Sequence, residues 1–167
     1  MSALIQYLQR RGVTFVVIPH TEGDGLPHGA DPTGFPAEDV VKTVVLATAL
    51  GHALAVIPDV RELDLGLARA ALRDRVARPA TEEELEESFP DYEPGALPPL
   101  GLFFLAPMYV DPAVLEHESI VFRAGRHRLS IAIGTQALFR DDPVVITSLT
   151  RESLDPAGEG DRTRSTG

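Results

Sequence analysis

Apolar positions along the chain follow two rhythms, a helical one of every third or fourth residue and a strand-like one of alternating or continuous runs, punctuated by Gly and Pro. Leu4, Ile5 and Leu8 recur at helical spacing behind Ser2, which can cap a helix, and Gly12 stands where that helix would end. "VTFVVIP" then reads as a strand. Residues 20–36, "HTEGDGLPHGADPTGFP", carry Gly and Pro with little periodicity and read as a loop, of a length that compact domains usually reserve for function or mobility. "VVKTVVLATA" and "HALAVIP", separated by Leu50 and Gly51, predict an antiparallel hairpin. Asp64 can cap a helix whose Leu65, Ala68, Ala71 and Leu72 form one apolar stripe. Thr81 and Glu84 form a capping box, so "TEEELEESF" predicts a second helix, stopped before Pro90. "LFFLAPMYV" reads as a strand, and "SIVFRAGRHRLSIAI" as a hairpin turning at 124–127. Thr135 can begin a last helix, and "PVVITSL" is a last strand.

Strands in adjacent pairs, interrupted by helices, predict an α/β chain of the α+β type: a mixed, largely antiparallel sheet with flanking helices, not a doubly wound parallel one. With 167 residues there is room for one sizeable core, so 1–151 is read as a single domain and the polar stretch 152–167 as a disordered tail. The absence of cysteine removes disulfides, thiol nucleophiles and thiolate metal sites. No apolar run reaches membrane-spanning length, so a cytoplasmic protein without a membrane partner is expected.

A formal charge of −10 argues against broad, non-specific nucleic-acid binding but leaves room for a small basic pocket. Charge is unevenly placed. Arg69, Arg73, Arg75 and Arg78 precede the acidic run Glu82, Glu83, Glu84, Glu86 and Glu87, which reads as a solvated face. Phosphate-loop, serine-hydrolase-elbow and zinc-helix motifs are absent, and the 5 histidines include no i, i+4 pair, although His20 and His28 could meet within the long loop. Neither a metal nor a cofactor is expected.

Three features remain. Lys42 sits in a run whose two faces are both apolar. It is either a residue at the strand's start whose stem covers the core while its ammonium reaches water, or a lysine held in a cleft for an anionic ligand. "EPGALPPLG", residues 93–101, is either a rigid connector or a loop in which Gly95 lets the N–H groups of Gly95, Ala96 and Leu97 converge on an anion. "RAGRHRLS" crowds Arg123, Arg126, His127 and Arg128 at one turn, which is either exposed charge or a phosphate contact.

Taken in order, "LIQYLQRRGVTFVVIPH", "PAEDVVKTVVLAT", "LDLGLARAAL", "ATEEELEESFPDYEPGALPPLG" and "VFRAGRHRLSIAI" resemble the YbaK and prolyl-tRNA-synthetase-associated editing domains. The resemblance runs from Ala3 to about Leu149 and rests on the lysine of "VKT" and a G-x-x-x-P loop from Gly95 to Pro99. It implies hydrolysis of the ester joining a wrong amino acid to its tRNA, by a free-standing protein, on substrates such as Ala- or Cys-tRNA(Pro). The partner it implies is the aminoacylated 3′ end of tRNA, with a synthetase as a second candidate. By the same resemblance Lys42 positions the terminal phosphate and ribose, Gly95, Ala96 and Leu97 receive the ester carbonyl through backbone N–H groups, and much of the proton transfer falls to water and the substrate's ribose hydroxyl. His20, Pro98, Pro99, Arg123, Gly125 and Ser130 complete the implied substrate-binding set. Two departures stand out: "GDGLPHGADPTG" replaces a helix rich in Ala and Glu, and Arg123 stands near a position where relatives carry a small or hydroxyl residue. The alternative from a different class is a non-catalytic module that binds a nucleotide, a tRNA acceptor end or a synthetase in the same pocket. A third is a hydrolase of small aminoacyl esters.

Overall fold

The computed structural model describes residues 2–19 and 35–151. The expectations for His20, for the rest of the long loop through residue 34, and for the 152–167 tail therefore lie outside the described residues. Helix α1, Ala3–Arg10, begins where the Ser2 hydroxyl accepts the Ile5 N–H at 3.3 Å, and it buries Leu4 and Leu8. Gly12, at φ +71°, turns the chain towards β1, Phe15–Pro19. A 3-10 turn, Ala37–Asp39, leads into β2, Val41–Thr48, which returns as β3, Gly51–Pro58. The Asp64 carboxylate accepts the Leu67 N–H at 3.0 Å to start α2, Leu65–Leu72. Then come β4, Arg78–Pro79, α3, Glu82–Ser88, α4, Gly101–Phe104, and β5, Met108–Val110. A second 3-10 segment, Pro112–Glu116, precedes β6, Ser119–Arg123, β7, Leu129–Gly134, α5, Thr135–Phe139, and β8, Val144–Ile146.

The mixed, largely antiparallel organisation is divided between two sheets. One is antiparallel, in the order β1-β7-β6; the other, β4-β2-β3-β5-β8, has β2 antiparallel to β3 and β4, and β5 parallel to β3 and β8. A parallel bridge between Val40 and Val121 joins them at the start of β2. The central sheet is covered on both sides. Val41, Val45, Leu54 and Val56 belong to the main core with α1 and the antiparallel sheet, whereas Leu46, Ala55 and Ile57 pack with Ala68 of α2 and Leu149. That double burial is why both registers of "VVKTVVLATA" are apolar.

One element differs from its sequence reading. "LFFLAPMYV" is a strand only over its last residues; its first part is helix α4. Asp142 accepts the Leu102 N–H at 3.3 Å, and Phe103 and Phe104 pack edge-on against Tyr92. Gly101 allows the return, since a Cβ there would lie 2.9 Å from the Ala106 carbonyl oxygen. Contacts distant in sequence thus outweigh the strand propensity of Leu and Phe.

The capping box at α3 gives a pH dependence. Arg78 donates to Glu84 at 2.6 Å, and with the Thr81 N–H it holds the Glu84 carboxyl down at about 2. Folding therefore favours the ionised form, and its contribution is present above the ordinary value of 4.5 and lost as pH falls from there to about 2. In thermal melts, wild type should exceed Glu84→Gln at neutral pH and converge with it near the bottom of that window; a difference that persists there would place the effect elsewhere.

Candidate active site

Where the two sheets meet, a pocket of about 200 Å³ opens along the edge of β2. Its charged and polar walls are Lys42, Thr43, Asp59, Arg123 and His127, and Val40, Val41, Gly95 and Leu97 complete it. A larger groove of about 1020 Å³ lies between residues 115–118 and the start of α5, but Lys42 and the Gly95 loop are not part of it.

Lys42 is half-buried and makes no ion pair among the described residues. It lies opposite Ile57 on β3, and the Asp59 N–H continues the ladder by donating to the Val40 carbonyl at 2.9 Å. Asp59 is thereby the diagonal neighbour of Lys42 on the same face, within reach of a long side chain. The composition holds a signal that the element-by-element reading passed over: among 15 Lys and Arg residues, Lys42 is the only lysine. A chain that uses Arg at every other cationic position places here the compact, strongly hydrated ammonium instead of the planar fork.

The loop after α3 is organised by a turn. The Ala96 N–H donates to the Glu93 carbonyl at 3.0 Å, with Pro94 second and Gly95, at φ +85°, third: the pattern of a type II turn. Of the three N–H groups expected to converge, that of Ala96 is therefore engaged inside the turn. Those of Gly95 and Leu97 have no hydrogen-bond partner among the described residues, and both residues line the pocket. Ala96, Pro98 and Pro99 are buried behind it and do not line it.

The basic hairpin tip and this loop, read separately in the sequence, form one construction. The Glu93 N–H donates to the Gly125 carbonyl and the Gly125 N–H to the Ala96 carbonyl, both at 2.8 Å. The Glu93 carboxylate accepts the His127 N–H at 3.2 Å and lies 3.7 Å from Arg126. His127 Nε2 sits 2.8 Å from the Pro94 carbonyl, and its ring lies against Gly95. His127 thus holds the loop at the pocket wall. Gly125 does not line the pocket; it lies beneath the Tyr92 ring. Arg123 and Ser130 are cross-strand partners on β6 and β7, and the Arg123 guanidinium donates to the buried Ser130 hydroxyl at 3.0 Å. Ser130 therefore anchors Arg123 from behind. Of the residues singled out in the sequence, Lys42, Gly95, Leu97 and Arg123 share the pocket. Thr43, Asp59 and His127 join them from the structure alone. Among the described residues no group of three or more His, Asp or Glu side chains could hold a metal ion, and no helix is long and apolar enough to cross a membrane.

Residues 20–140 match the sequence model of the aminoacyl-tRNA editing domain. The chain belongs to this family. Among curated proteins none matches the sequence of this editing domain. Solved structures do match its fold. A candidate trans-editing enzyme for prolyl tRNA synthetase is 23% identical with a TM-score of 0.73, and the match covers 90% of this chain and 99% of that one. The hypothetical protein APE2540 is 19% identical with a TM-score of 0.76, covering 90% and 100%. A scaffold protein used for grafting epitope backbones is 20% identical with a TM-score of 0.74, covering 90% and 99%. At such identities the likeness is one of fold.

Proposed function

We propose that this editing domain is a trans-acting deacylase, a cytoplasmic hydrolase that removes a wrong amino acid from the 3′ end of tRNA, with Ala- or Cys-tRNA(Pro)-like substrates. The observation that carries the reading is the meeting, in one pocket, of the only lysine with the unengaged N–H groups of Gly95 and Leu97. The ammonium of Lys42 binds the terminal phosphate and ribose. The two N–H groups hold the ester carbonyl and take up the negative charge that develops on its oxygen, where a single donor is worth roughly a hundredfold or more in rate. Arg123 and His127 stand at the same wall, Arg123 as a further contact for phosphate and His127 as the support of the Gly95 loop.

A water oxygen attacks the carbonyl carbon, the bond from that carbon to the ribose oxygen breaks, and the ribose oxygen leaves with a proton. The water's remaining hydroxyl stays on the acyl group, so the products are a free amino acid and uncharged tRNA. An ester is an activated acyl group, so a site that positions water and stabilises the oxyanion suffices without a metal or a side-chain nucleophile. The relative described as a candidate trans-editing enzyme for prolyl tRNA synthetase favours tRNA(Pro) as the carrier and a synthetase as a companion.

The test is deacylation of purified Ala-tRNA(Pro), Cys-tRNA(Pro) and Ser-tRNA(Thr). Turnover of at least one is expected. Tight binding of acceptor ends with turnover of none would overturn the reading in favour of a binding module.

A further inference from the structure

Thr43 is more than nine-tenths buried, at 7% exposure, yet its hydroxyl has no hydrogen-bond partner. A hydroxyl removed from water without a partner is unfavourable, and buried polar groups in folded proteins are nearly always paired. Valine would fill almost the same space without that penalty, and the chain uses valine at Val40, Val41, Val44 and Val45 on either side. Neither strand propensity nor core packing accounts for threonine here. The position does. Thr43 lines the pocket on the face of β2 opposite to Lys42, beside the apolar side chains of Val41 and Leu97.

We propose that the Thr43 hydroxyl is a specificity-determining contact for the α-amino group of the aminoacyl ester. This rests on the deacylase reading. With the ester carbonyl held at the Gly95 and Leu97 N–H groups, the α-carbon is one bond further on, and its substituents fall against the buried floor formed by Val41, Thr43 and Leu97. The remaining polar side chains, Lys42, Asp59, Arg123 and His127, are half-buried or exposed at the mouth. Thr43 therefore supplies the buried polar side-chain atom available to an amine bound at that depth, and the ligand completes its hydrogen bonding. A site of this kind selects acyl groups bearing a free α-amine over those lacking one, because the analogue without it leaves the hydroxyl unpaired.

The test uses two non-hydrolysable probes, 3′-deoxy-3′-(L-alanylamido)adenosine and its propionylamido counterpart, which differ in the α-amino group. Wild type should bind the alanyl probe roughly tenfold or more tightly than the propionyl one. Thr43→Val should bind the two about equally, retain wild-type affinity for the propionyl probe, and melt no lower than wild type; Thr43→Ser should restore discrimination. A lower melting temperature for Thr43→Val would show that the hydroxyl has a structural partner and would overturn the proposal, as would undiminished discrimination in that variant. Binding of both probes by wild type with equal affinity would sink the amine contact while leaving the deacylase reading intact. Discrimination by wild type that is lost in Thr43→Val, in a protein that turns over no charged tRNA, would uphold the contact and overturn the deacylase reading. Failure of wild type to bind either probe would remove both.

Discussion

Replacing Lys42 with alanine is expected to lower deacylation roughly a hundredfold or more, the scale of removing one well-placed electrostatic group, while the melting temperature stays within a few degrees of wild type. The two halves of this expectation have separate physical sources. Activity falls because the ammonium is the chain's one compact cation at the pocket and, in the proposed reaction, fixes the ribose and phosphate relative to the N–H groups of Gly95 and Leu97. Stability survives because Lys42 is only half-buried and forms no ion pair among the described residues, so no buried carboxylate is left uncompensated. Lys42→Arg separates charge from geometry. The guanidinium is larger and spreads its charge over a plane, so restoring the charge in this form should recover only a small part of the activity. Full activity in Lys42→Arg would mean that any cation suffices there. Unfolding of Lys42→Ala would mean that the residue belongs to the core.

Gly125→Ala should produce the largest loss of stability. Gly125 has φ +89°, a conformation that costs other residues about 1–3 kcal/mol, and an added Cβ would sit 2.9 Å from Tyr92 Cδ1 and 3.2 Å from Cε1. Tyr92 cannot simply swing aside. Its ring packs edge-on against Phe103 and Phe104, at centroid distances of 6.4 and 5.1 Å, so relief of the overlap disturbs α4 as well. Overpacking of this kind adds about 1–3 kcal/mol, which brings the total to about 2–6 kcal/mol and the fall in melting temperature to about 5–20 °C. Activity should fall too, because the bonds from Gly125 to Glu93 and Ala96 tie the hairpin tip to the loop that presents Gly95. Gly12→Ala is the matched control. Gly12 has φ +71° but nothing within 4 Å of an added Cβ, so only the backbone strain remains and the loss should be visibly smaller. Equal losses in the two variants would show that contact with Tyr92 contributes nothing.

Local chemistry made much of the fold legible. The β2–β3 hairpin, the Asp64 cap and the Thr81–Glu84 box are all specified within a few residues, and the structure contains each of them. Helix α4 was not legible because what sets it is remote: Asp142 caps it from 40 residues away, and its phenylalanines pack on Tyr92. The pocket follows the same division. Lys42 and Gly95 stand out in the sequence, one as a charge in an apolar run and the other as a glycine before stiff prolines. The join between the Gly95 loop and the 124–127 turn depends on Glu93 and His127, whose side chains look like ordinary surface groups until the two segments are brought together. Thr43 was hidden for a different reason. Threonine suits a strand, and only the absence of a partner for its buried hydroxyl marks it.

The most direct measurement of the central claim is a single-turnover time course of Ala-tRNA(Pro) and Cys-tRNA(Pro) with excess purified protein, run beside Pro-tRNA(Pro) and a buffer control. Loss of the amino acid from a mischarged tRNA well above the buffer rate, abolished by Lys42→Ala and sparing Pro-tRNA(Pro), is the predicted result. Decay of both mischarged species at the buffer rate, in the presence of a folded protein, would contradict it.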